Sequence, residues 1–142
     1  MTTEPLLAAS RDKLLAALEL LFASVDDYSG FDPTLPYTPK QREPFDALSD
    51  RYLRAFESSL KFFKTWERVR EAAPSETFRD LLLRMAKIGL ITDLETWLNM
   101  RDIRNRIAHE YLPTELAHIY AGVVEMAAAE LRRLAVKTSQ IR

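Results

Sequence analysis

The chain contains no cysteine. That excludes a disulfide framework, a thiolate metal site and a thiol nucleophile, and it fits a reducing compartment. Glycine is also scarce, with three in 142 residues, too few and too scattered to build a phosphate-cradling loop. There are two histidines; without thiolates, no metal site is expected within one chain. His109-Glu110 is not followed by the second histidine of a zincin motif. No apolar run approaches the roughly 20 residues that cross a bilayer. Met1-Thr2-Thr3-Glu4-Pro5 lacks the basic start of a signal peptide, so the expectation is a cytoplasmic protein that makes no use of a membrane. Neither sign of charge dominates: 20 Lys+Arg against 21 Asp+Glu leave a net charge of −1. Nucleic acid would have to be met by a local basic cluster, since no global field exists.

What is present points to helices. Leu, Ala, Arg and Glu are abundant and runs of β-branched residues are rare. A length of 142 residues suits a single domain, 1–142. A first helix is predicted over 6–25, with Leu7, Leu14, Leu15, Leu18, Leu21, Phe22 and Val25 at helical spacing. Residues 26–44 break the pattern with Gly30, Pro33, Pro36, Pro39 and Pro44. This segment reads as a long Pro-rich loop, free to pack Phe31, Leu35 and Tyr37 over the bundle.

The second helix is predicted from Phe45 to about Glu71. Pro74-Ser75-Glu76 reads as a stop, an N-cap and an acidic first turn for a short third helix ending at Gly89. Thr92-Asp93-Leu94-Glu95 has the form of a capping box opening a fourth helix, which runs to about Leu112 before Pro113. Thr114 reads as the cap of a fifth helix, with residues 137–142 frayed. The fold expected is an all-α, five-helix up-and-down bundle with the Pro-rich loop between helices 1 and 2.

The chemistry-bearing stretch is Arg104-Asn105-Arg106-Ile107-Ala108-His109-Glu110-Tyr111, an R-N-x3-H-x-Y pattern. Histidine is the side chain that exchanges a proton near neutral pH, and arginine is a permanent cation suited to phosphate. Trp97, Met100, Arg104, Ile107 and Tyr111 share one helical stripe. Leu94, Leu98, Arg101, Asn105, Ala108 and Leu112 trace a second. Two stripes suggest a core face plus a partner face, most simply a dimer seam.

Arg104 is anomalous in an apolar stripe; snorkelling, or pairing with an acid across an interface, would explain it. Asn105 and Asp102 are spaced to meet His109. On a regular helix Arg104 and His109 lie about 140° apart. Either the helix distorts, or a twofold axis brings two copies of the motif together; the spacing favours the twofold. Tyr28, Tyr37 and Tyr52 read as packing under the loop, and His118 as a surface residue.

These same residues, Arg104, Asn105, His109 and Tyr111, resemble the R-x4-H-x-Y signature of HEPN domains. The likeness extends more loosely over residues 45–134 and includes the FRDLLLRMAKIGLITDLETWL approach, 78–98. It is nearest to the toxins of nucleotidyltransferase/HEPN toxin–antitoxin pairs. The resemblance implies a homodimeric, metal-independent endoribonuclease toxin without a cofactor, neutralised by a minimal nucleotidyltransferase antitoxin. It implies Arg104 and His109 as catalytic residues, with Asn105 beside them, and Tyr111 as a tyrosine that the partner can adenylylate. The Pro-rich loop lies outside the likeness.

RNA supplies its own nucleophile, the 2′-OH, so the protein need only move protons and stabilise charge. In that reading His109 moves the proton, Arg104 faces the pentacoordinate phosphate, and Asn105 orients the ring or bonds a phosphate oxygen. Arg101 and Arg106 add positive potential for the RNA backbone, and Tyr111 stacks a base or binds phosphate. The alternative is a non-catalytic substrate- or nucleotide-binding partner subunit of a minimal nucleotidyltransferase. A third reading leaves Arg104 and His109 as satisfied interface residues of a helical homodimer. The resemblance ranks the nuclease first.

Overall fold

The computed structural model describes residues 4–109 and 112–141. It is an all-α bundle of five helices, with no strand among the described residues. α1 spans Glu4–Asp27, α2 Pro39–Arg70, α3 Phe78–Lys87 and α4 Leu94–Ile107. The last rod, α5, starts as Pro113–Ala121, passes through a π-helical stretch, Gly122–Ala127, and continues as Ala128–Gln140. Its junction residues keep helical dihedrals, so it is one rod. Gly122 lies against α4: a Cβ there would stand 2.9 Å from Ile103 Cδ1.

Leu7, Leu14, Leu18 and Leu21 form the buried stripe of α1. They face α2, which runs about 48 Å through the core and buries Tyr52, Phe56, Phe62, Phe63 and Trp66. α5 closes the bundle against α1, α2 and α4. Trp97 of α4 stacks on Phe56 at 5.9 Å and meets Phe63 edge-on at 5.1 Å. Its Nε1 donates to Glu130 of α5 at 2.8 Å. The same buried carboxylate accepts from the Thr92 amide and hydroxyl at 2.9 and 2.6 Å, so one charge ties α4, its preceding turn and α5 together. Tyr52 Oη donates to Met100 O at 2.6 Å and fixes α2 to α4.

Several helix boundaries differ from the sequence reading. The Pro-rich loop is 28–38, shorter than 26–44, because Thr38 and Gln41 form a capping box and Pro39 takes the first helical position. Pro44 therefore sits inside α2, over a cluster in which Phe31 contacts Tyr37, Phe45 and Tyr120 at 4.9–5.2 Å. Leu35 stays exposed. α3 is capped by Thr77, whose side chain accepts from Asp80 N; Ser75 instead bonds Glu67. Gly89, at φ 81, ends α3 as expected, with Leu90 and Gly89 amides returning to Met85 and Ala86 carbonyls. Asp93, not Thr92, caps α4, because Glu130 holds Thr92. Leu112, extended at φ −70 and ψ 131, is the N-cap of α5, in place of Thr114.

Candidate functional site

α4 carries the motif only in part. Pro113 forces the residue before it out of helical geometry, and the helix stops at Ile107, short of Leu112. His109 follows in a turn, its amide bonded to Arg106 O at 3.0 Å. The helix thus ends between Arg104 and His109, and that break does not by itself direct both side chains to one point. Glu110 and Tyr111 lie outside the described residues, and with them the substrate-binding and adenylylation roles expected of Tyr111.

The inner face of α4 is Trp97, Met100 and Ile103, all buried. Ile103 falls outside both expected stripes. Leu94, Leu98 and Arg101 of the second stripe are half-buried within the chain, whereas Asn105, Ala108 and Leu112 are exposed.

Arg104 leaves the last turn of α4 toward α2. Its Nη1 donates to Glu57 Oε1 at 2.8 Å, and its guanidinium lies 5.6 Å from the Phe56 ring centroid. Its Nε is buried with no hydrogen-bond partner among the described residues. The acid expected across an interface is thus found inside the chain. Glu57 was the residue the sequence reading missed, although it adjoins the core residue Phe56. Below the pair, burial pushes the Tyr52 phenol far above its ordinary value, and the Arg104 charge opposes the shift only weakly.

The other motif residues diverge. The Arg101 guanidinium lies 4.7 Å from the Phe78 ring centroid. Arg106 pairs with Asp102 at 3.0 Å and with Glu115 at 3.6 Å, which takes Asp102 away from His109. Asn105 and His109 are both exposed, and no hydrogen bond between them is among the described contacts. The single chain therefore sends Arg101 toward α3, Arg104 toward α2 and Arg106 back along its own helix. Among the described residues no hydrogen bond or ion pair joins Arg104 to Asn105 or His109. His118 is exposed, as expected.

A second charged centre lies at the far end of α2. Glu67 is buried and accepts from Ser75 N at 2.7 Å, from the Ser75 hydroxyl, and from Arg84 Nη1 at 2.7 Å. Burial alone would raise its pKa, but the Ser75 bonds and the Arg84 charge outweigh it and hold the carboxyl below its ordinary value. These bonds saturate the carboxylate and lock the α2–α3 connection. Among the described residues no group of three or more His, Cys, Asp or Glu could hold a metal ion. No described helix is long and apolar enough to cross a membrane.

The all-α bundle fits a HEPN-related class, an assignment that the family match carries. The chain belongs to the family described as nucleotidyltransferase substrate binding protein like, which matches residues 15–140. That span runs from the middle of α1 to the end of α5. Comparison with curated proteins gives no match.

Proposed function

We propose that the chain is the non-catalytic, substrate- or nucleotide-binding partner subunit of a minimal nucleotidyltransferase. Membership of a nucleotidyltransferase substrate-binding family supports this reading. The observation that carries it is the Arg104–Glu57 pair at 2.8 Å. The cation that would stabilise a cleaved phosphate is already neutralised within its own chain, while His109 stands apart in the turn beyond the helix. Catalysis by electrostatic preorganisation requires the two to converge on one phosphorus. The test is nucleotidyl transfer from labelled nucleoside triphosphate by the candidate nucleotidyltransferase, with and without this chain. Transfer that rises only in its presence supports the reading; transfer indifferent to it contradicts it.

The exposed positions of Asn105 and His109 favour a second reading, the metal-independent endoribonuclease toxin. There a homodimer would bring one protomer's His109 to the other's Arg104, and RNA would lie across both. In that reading the nucleotidyltransferase acts as antitoxin, and Tyr111 is the acceptor of its adenylyl group. Cleavage of a tRNA pool under EDTA, lost in His109→Ala, distinguishes this reading from the first.

A further inference from the structure

The C-terminal end of α1, loop 28–38 and the first turns of α2 border a half-open cavity of about 790 Å3. Its lining includes three aromatic residues, Tyr28, Tyr37 and Phe45, two acids, Asp27 and Glu43, and one cation, Arg51. The walls are fixed before any ligand arrives. Tyr37 stacks on Phe31 at 4.9 Å, and its Oη accepts from Asp32 N at 2.9 Å. Tyr28 meets Phe45 edge-on at 6.1 Å. The Asp32 carboxylate accepts from Thr34 N and Oγ1, which pins the loop.

The charges around this space point to a cation. The last turn of α1 carries no basic residue of its own, so the negative pole of its dipole is met only by cations from other elements, Arg132 and Arg51. Two carboxylates nevertheless sit there. Asp26 is answered by Arg132 at 2.8 Å, whereas Asp27 is exposed, makes no ion pair among the described residues and lines the cavity. A carboxylate at a helix C-terminus is unfavourable to the fold, so stability does not account for Asp27.

Glu43 pairs with Lys40 at 3.1 Å in open solvent, which constrains it little. Arg51 is tied to α1, its Nη1 donating to Leu20 O at 3.2 Å and Ser24 Oγ at 2.9 Å. Arg51 keeps its charge, so two carboxylates against one guanidinium leave the lining one negative charge in excess, beside the aromatic rings. Aromatic faces with a neighbouring carboxylate recognise an organic cation. Phosphate is disfavoured by the two acids.

We propose that this cavity binds an organic ammonium compound, its alkylated nitrogen against Tyr28 and Tyr37 and its charge facing Asp27. That the compound is the substrate of a substrate-binding subunit rests on the reading above. Binding of the ammonium group does not, and it is measured on the chain alone, so the two fail separately.

The experiment is calorimetric titration with choline, its uncharged isostere 3,3-dimethylbutan-1-ol, and adenosine monophosphate as the anionic comparator. Choline is expected to bind, the isostere about tenfold more weakly and the nucleotide not at all. Asp27→Asn is expected to weaken choline binding about tenfold while the melting temperature stays level or rises. Tyr28→Leu should weaken choline more than the isostere. Equal binding of choline and isostere, preference for the nucleotide, no choline binding, or an Asp27→Asn chain that binds choline as wild type overturns the proposal.

Discussion

Arg104 of α4 and Glu57 of α2 form a salt bridge at 2.8 Å that turns the motif's cation inward, onto the ring of Phe56. Both side chains keep partial access to solvent, 34% and 47%, so screening reduces what the pair contributes to stability. Glu57→Gln is expected to cost about 0.5–1 kcal/mol, read as a fall of about 2–3 °C in melting temperature. The same change releases Arg104, and affinity for a phosphate-bearing probe such as tRNA should rise. Unchanged affinity would show that Arg104 is not held back by Glu57.

Glu130 should be far more costly to remove. Its buried carboxylate serves the Thr92 amide, the Thr92 hydroxyl and Trp97 Nε1. Glu130→Ala leaves those donors unanswered, and a loss of about 3 kcal/mol is expected. Urea unfolding followed by tryptophan fluorescence measures it. A loss below about 1 kcal/mol would mean that water replaces the carboxylate.

Acid should loosen the α2–α3 connection. Glu67 has a folded pKa below its ordinary value of 4.5. Its stabilising contribution is therefore complete above that value and is lost as the pH falls through the folded pKa. Glu67→Gln should flatten the acid limb of a stability–pH profile while lowering stability at neutral pH. A mutant profile parallel to wild type down to pH 2 would contradict the assignment.

The coarse fold was legible from periodicity because each helix buries one apolar stripe, as Leu7, Leu14, Leu18 and Leu21 do. Helix ends were less legible, because the decisive partners are distant in sequence. Thr92 looks like an N-cap locally, but Glu130 claims it across the bundle. The residues of the site were visible, but their directions were not. Glu57, whose carboxylate receives Arg104, lies on another helix, and the fold itself decides that the two meet.

Pro44 shows the same override, since its ring sits within α2 where the Lys40 carbonyl loses its amide partner. Pro44→Ala should restore that bond and stabilise the chain by about 1–2 kcal/mol, net of the added freedom of the unfolded state. A lower urea midpoint for the mutant would show that proline shapes the loop rather than strains the helix.

His109 is exposed in the turn after α4, so His109→Ala should leave the melting temperature within about 1–2 °C of wild type. In the partner-subunit reading it leaves complex formation and nucleotidyl transfer intact as well. Failure of the mutant to support transfer would make the turn part of the interface.

The most direct measurement is the mass, by light scattering after size exclusion, of the chain co-expressed with its candidate nucleotidyltransferase. The account predicts a stable complex containing both proteins, and a chain that, expressed and purified without the nucleotidyltransferase, leaves tRNA uncut under EDTA. A chain that elutes without the nucleotidyltransferase, and cleaves tRNA in a manner abolished by His109→Ala, would contradict it.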